Sequence, residues 1–92
     1  MKIRYYVDSV TELPHIYGHD VSEVEVEDIL RQPGEDRPGR EGSRIAIGKT
    51  EDGRYLRVIY VADPGPQTVF VITAYELEGK PLAAYKRRRR KK

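Results

Sequence analysis

The sequence contains no cysteine. Disulfides, thiol nucleophiles and thiolate metal sites are therefore excluded. No apolar run approaches the ~20 residues that a membrane-spanning helix requires. The opening stretch, MKIRYYVDSV, lacks the longer apolar segment of a secretory signal. These absences lead us to expect a cytoplasmic protein without a membrane segment. There is no glycine-rich phosphate loop and no Ser/His/Asp arrangement that would support a triad. There is also no internal repeat and no linker long enough to separate a pair of domains. The 92 residues therefore make one small domain, able to fold but with a thin margin.

Charge is what the chain has in quantity, at 35% of its residues against 38% hydrophobic. The formal net charge of +2 hides an asymmetry. All fifteen acids lie before position 86 with ten of the bases, so residues 1–85 carry −5 and residues 86–92, KRRRRKK, carry +7. We divide the chain accordingly into a domain, 1–85, and a basic tail, 86–92. Attraction to phosphate is concentrated in that tail and on any cationic sheet face. The tail has two readings. It is a solvated solubilising segment, or it is a phosphate-binding arm held near the last strand by Tyr85. Seven like charges repel one another, so the arm is expected to be disordered without a ligand, although the arginine run could also extend a preceding helix.

Alternation in KIRYYV predicts a strand with Ile3, Tyr5 and Val7 on one side. SVTELPHIYGH is ambiguous, because Pro14 and Gly18 limit any helix begun at Ser9 or Thr11. VSEVEVEDILRQPG reads as a helix. Ser22 is a good N-cap, Glu25 completes a capping box, and acids load the first turns. Val26, Ile29 and Leu30 form its buried stripe, and Pro33-Gly34 ends it. A strand remains the minor alternative for VSEVEVE. Residues 34–42, GEDRPGREG, read as a mobile loop. Three alternating runs follow, 43–49, 54–62 and 67–75, separated by the turn signals EDGR and DPGP. A short helix from Pro81, anchored by Leu82, Ala83 and Tyr85, precedes the basic run. The predicted fold is α+β, an N-terminal strand and one or two helices packed on one face of a three- to four-stranded antiparallel sheet. Arg57, with Arg44 and Tyr75 if register holds, would project from the open face, giving a cationic and aromatic surface suited to a polynucleotide backbone.

The segments HIYGHDVSEVEVEDILRQP, RIAIGKTEDGRYLRVIYV and VFVITAYE resemble the small bacterial BrnT-type and related domains of unassigned function within the RelE/ParE toxin superfamily. The family's features are a His near a short first helix, a hydrophobic-Ser-x-Glu-Glu helix, answered here by Val-Ser-Glu-Val-Glu, a Gly-x-Thr-x-Asp-Gly-Arg hairpin and a Val-Ile-Thr-Ala last strand, over roughly residues 15–76. The resemblance implies a RelE-like β–α–α–β–β–β fold, a cognate antitoxin partner and, in several members, RNA cleavage. The chain departs from BrnT at Tyr75, where an arginine is expected after Thr-Ala.

Metal-independent RNA cleavage needs a base for the ribose 2′-OH, cations for the phosphorane and an acid for the leaving 5′-oxygen. His15, His19, Tyr75, Tyr85, Lys49 and Lys80 are candidate proton carriers. Resemblance selects Lys49, Arg57 and Tyr75 as catalytic, with His19 added. Arg44, Arg54, Tyr85, Lys86, Arg87, Arg88, Arg89 and Arg90 are the candidate RNA-binding residues. Each has a plainer reading. Lys49 and Arg54 flank a hairpin where solvated charge is ordinary, Arg57 could sit on a wet sheet face, and the tyrosines could close the core edge. His15 and His19 have the spacing of a helical metal pair, but Pro14 and Gly18 weaken that helix and no third ligand is evident beyond Asp20. No metal, no small-molecule cofactor and no membrane partner is expected. The functional expectation is a type II toxin acting as an endoribonuclease on mRNA. The alternatives are a non-catalytic toxin-fold module that binds nucleic acid or protein, and an interaction protein whose tail only solubilises.

Overall fold

The structure is a computed structural model that describes residues 1–65 and 67–90. Strand β1 spans Lys2–Tyr5, and a short 3-10 helix spans His15–His19. Helix α1 covers Glu23–Arg31 and strand β2 covers Glu35–Pro38. The meander follows as β3, Arg44–Lys49, β4, Tyr55–Ala62, and β5, Thr68–Glu76. Helix α2, Gly79–Arg90, comes last. The five strands form one sheet in the order β1-β5-β4-β3-β2.

The three alternating runs pair antiparallel as expected. At the first turn Gly53 takes a φ of +90°, which a residue without Cβ adopts freely. Pro66 of the second turn lies outside the described residues. A bulge opposite Ile59 and Tyr60 inserts one extra residue into β5. Val71 and Ala74, three apart, therefore both face the core, while Thr73 lies opposite Ile59 and Tyr75 opposite Arg57.

The sheet differs from expectation in two ways. It has five strands, and it is mixed, because β1 runs parallel to β5. The chain leaves β1, passes through α1 and the meander, and brings its last strand back beside the first. A long crossover of this kind allows parallel pairing, which a tight hairpin does not. The fifth strand is β2, inside the segment expected to be a mobile loop. It pairs antiparallel with β3 at the sheet edge, where Pro38 is tolerated. Its charges are answered from afar. Arg44 and the Tyr60 hydroxyl donate to Asp36, and Arg88 donates to Glu35.

Helix α1 begins with the expected capping box. The Glu25 amide donates to Ser22 Oγ at 3.2 Å, and the Ser22 amide to Glu25 Oε1 at 3.0 Å. Val26, Ile29 and Leu30 are buried against Ala46, Leu56 and Val58, and Ile16 and Val21 complete this main core. The helices do not share a face. α2 lies across the opposite side of the sheet, where Tyr85 is 4% exposed and packs with Ile47 and Leu77 in a second, smaller core.

The basic run is helical through Arg90, rather than a disordered arm; Lys91 and Lys92 lie outside the described residues. Three causes offset the like-charge repulsion. Arginine is a good helix former, cations suit the negative C-terminal end of the helix dipole, and Arg88 forks onto the Glu35 carboxylate. That fork holds the Glu35 carboxyl below its usual range. Arg89 donates to the Gly34 carbonyl at 2.8 Å. Among the described residues no helix is long and apolar enough to cross a membrane.

Candidate functional site

Strand parity decides which cations meet. On the face away from α1, Arg57 lies between Ile47 of β3 and Tyr75 of β5, and Lys49 lies beside Tyr55. Arg57 donates to the Tyr75 hydroxyl at 3.5 Å, the limit of a hydrogen bond. Its Nε is buried without a partner, as is Thr73 Oγ1 on the neighbouring strand position. Six other arginines of the chain, Arg4, Arg31, Arg37, Arg44, Arg54 and Arg88, form ion pairs with carboxylates. Arg57 is half-buried and has no such pair among the described residues. The charge of a guanidinium in that position is not neutralised by a neighbouring carboxylate, which leaves it available to an arriving anion.

The 3-10 helix carries histidines to the same place. It packs along β5, beyond the end of β1, and sets the His19 ring edge-on to Tyr75, centroids 6.0 Å apart. His15 follows at 5.2 Å from His19, and Tyr6 at 5.8 Å from His15. Asp8 Oδ2 lies 3.7 Å from His15 Nδ1. The result is a row of proton-carrying rings, Tyr6, His15, His19 and Tyr75, that ends at the Arg57 guanidinium. His19 is exposed and Tyr75 half-buried, so a ligand can reach both.

Two strand positions from Arg57 stands Tyr55, on the same face. The Lys86 ammonium lies 5.0 Å and the Lys49 ammonium 5.7 Å from the centre of its ring. An open pocket of about 370 Å³ is lined here by Lys49, Tyr55, Tyr85, Lys86, Arg89 and Arg90. A continuous cationic and aromatic band thus runs from α2 across β4 to the 3-10 helix.

Of the four residues selected as catalytic, the structure gathers Arg57, Tyr75 and His19, and sets Lys49 in the adjoining pocket. The RNA-binding candidates divide. Lys86, Arg89 and Arg90 line the pocket, whereas Arg87 is exposed on α2 outside its lining. Arg88 is engaged by Glu35. Tyr85 presents only a sliver of surface, and burial raises its hydroxyl pKa. Arg44 does not share the face of Arg57. It pairs with Tyr60, on the α1 side, and its guanidinium is held by Asp36 at 2.7 Å. Arg54 turns inward too. It donates to both Glu25 oxygens at 3.0 Å, to Glu76 at 3.3 Å and to the Asp20 carbonyl at 2.7 Å. Burial alone would raise the Glu25 carboxyl, but the Ser22 amide and the Arg54 guanidinium outweigh it and hold that carboxyl below its usual range. Burial, reinforced by Asp36, pushes the Tyr60 hydroxyl up to about 12, so it stays a neutral donor.

Two contributors stand outside the sequence-based set of site residues. Tyr55 shares the parity of Arg57 in RYLRVIYVA, and that alternation is the signal that could have found it. Tyr6 reaches His15 only because the chain folds back between β1 and the 3-10 helix, where the His15 amide donates to the Tyr6 carbonyl. Nothing in the local pattern marks that contact.

Searches among curated proteins and among solved structures returned no match. The family model described as "Domain of unknown function (DUF4258)" matches residues 18–76, from the end of the 3-10 helix to the end of β5 and so including His19, Arg57 and Tyr75, and the chain belongs to that family.

Proposed function

We propose that this protein is a metal-independent endoribonuclease of the RelE/ParE type, a BrnT-like toxin held in check by a cognate antitoxin. One observation carries the reading. A half-buried arginine without a carboxylate partner sits beside a tyrosine hydroxyl whose ring touches an exposed histidine. In this reading RNA lies along the band with its scissile phosphate on Arg57. His19 takes the 2′-OH proton on a ring nitrogen as the 2′-oxygen attacks phosphorus. Arg57 stabilises the pentavalent oxyanion. Tyr75 gives its proton to the departing 5′-oxygen and recovers one from His19 afterwards. The products are a 2′,3′-cyclic phosphate and a 5′-hydroxyl end. Asp8 and His15 stand behind His19 as its support.

The purified chain should cleave single-stranded RNA in excess chelator and leave cyclic phosphate ends. Arg57→Ala and Tyr75→Phe should each lower the rate by about 10²-fold or more. Induced alone in bacteria, the wild type should slow growth, and the Arg57→Ala/Tyr75→Ala double variant should relieve that effect while remaining folded. A well-folded wild type that binds RNA but neither cleaves it nor slows growth would refute the nuclease reading. It would favour the second reading, a toxin-fold module that grips nucleic acid without chemistry. The crowding of cations into the Lys49–Lys86 pocket, away from the histidines, supports that alternative.

A further inference from the structure

We infer that the pocket between α2 and the β3–β4 hairpin is a phosphate site specific for the dianionic phosphomonoester of a nucleotide or strand end. The inference deepens the RNA-binding reading but does not depend on cleavage. Four cations, Lys49, Lys86, Arg89 and Arg90, line one pocket of about 370 Å³, and no carboxylate is among its lining residues. Arg54 and Arg88, by contrast, are each held by a carboxylate. Gathering four like charges in one place raises the energy of the free protein, and a bound anion relieves it.

The geometry fixes the kind of anion. Arg89 already spends one nitrogen on the Gly34 carbonyl, which orients its guanidinium at the pocket wall. Each lysine holds its ammonium against the Tyr55 ring, at 5.7 Å and 5.0 Å from its centre, so two point charges border the pocket at that ring. A cationic set of this kind fits a compact group with about two negative charges and three strong acceptor oxygens, which is a phosphomonoester. An internal diester carries one charge and needs an open path for chain on both sides. Here buried Tyr85 and the body of α2 close one side of the pocket. The volume of about 370 Å³ accepts a phosphorylated nucleoside, with the open side of the pocket leaving part of it in water.

The test is a nuclear magnetic resonance titration of the full chain at low salt with three probes: 5′-AMP, a dinucleoside monophosphate with a single diester, and inorganic phosphate. 5′-AMP should shift the Tyr55, Lys49 and Lys86 signals and bind about tenfold more tightly than the dinucleoside, as one further unit charge at close range implies. The Lys49→Glu/Lys86→Glu variant changes only exposed side chains, so it should keep the wild-type spectrum elsewhere and lose the 5′-AMP response. Equal affinity for the diester would overturn the proposal, as would shifts centred on Arg57 and His19 or an unchanged response in the variant. Inorganic phosphate binding as tightly as 5′-AMP would overturn the nucleotide assignment in favour of free phosphate. None of these signals requires RNA cleavage, so a chain that binds 5′-AMP here and cleaves nothing would refute the nuclease reading alone.

Discussion

Replacing Arg54 with methionine removes the guanidinium and keeps most of the stem. Arg54 ties three separate pieces together, the capping residue of α1 through Glu25, the end of β5 through Glu76, and the exit of the 3-10 helix through the Asp20 carbonyl. The side chains of Arg54 and Glu25 are only 22% and 17% exposed, so solvent screens this pair weakly, while Glu76 at 44% contributes little. A hydrogen bond to a charged group is worth about 1.5–3 kcal/mol net, and the variant also strands a partly buried carboxylate. The expected loss is about 2–4 kcal/mol. In a domain of this size each kcal/mol moves Tm by roughly 4–8 °C, so the melting point should fall by roughly 8–32 °C with the native fold still populated in the cold. Thermal and urea unfolding followed by circular dichroism would measure it. The pH dependence gives a second check. Glu25 has a folded pKa below its unfolded value, so its contribution is present above the ordinary glutamate range and fades as pH falls through the folded value. The gap between wild type and variant should therefore narrow on acidification below about pH 4. A loss under about 1 kcal/mol at neutral pH, as for an exposed pair, would refute the pin, and so would a gap that widens in acid.

Gly34→Ala should undock α2. A Cβ there would come within 1.9 Å of the Tyr85 hydroxyl, so either Tyr85 or residues 33–34 must move, and limited proteolysis should cut within residues 79–90 faster than in wild type. Ser22→Ala removes the N-cap of α1 and should cost about 1 kcal/mol in urea unfolding, with α1 retained. Truncation after Tyr85 removes all seven terminal cations. If four to seven of them meet phosphates, the slope of log K against log salt on single-stranded RNA should flatten by roughly 3 to 5. An unchanged slope would show that the cations never reach RNA.

Helix α1 and the three-strand meander are legible in the sequence because their signals are local. A capping box, a stripe of Val26, Ile29 and Leu30, and turns at fixed spacing each need only neighbours along the chain. Arg57 and Tyr75 do share the face away from α1, but in β5 this takes the bulge, since strict alternation would set Tyr75 on the side of Val71. What cannot be read is decided by partners far along the chain. Glu35-Asp36-Arg37-Pro38 looks like loop because no residue in it is a large apolar one, yet Arg44, Tyr60 and Arg88 answer its acids and make it an edge strand. Arg44 begins its strand, one position out of step with Ile45 and Ile47 and so on the other face from Arg57. The helical basic run escapes sequence reading for a similar reason. Its repulsion is visible in sequence, while the Glu35 carboxylate and the Gly34 carbonyl that hold it are not.

Because β1 lies beside β5, the place it fills does not exist until the chain has been made as far as Val71. Synthesis at about 5–20 residues per second leaves the N-terminal strand waiting for several seconds, with Ile3 and Tyr5 unable to reach their final neighbours. Only the β3–β4 hairpin can form before then, since it closes locally, and once β5 has joined it the β5 edge stays open until β1 arrives. A pairing of such long sequence separation also belongs to the slow end of the folding range, milliseconds to seconds. In the cell the newborn chain therefore passes through a stage with an unpaired apolar edge, open to a chaperone or to any partner protein that can offer it a strand.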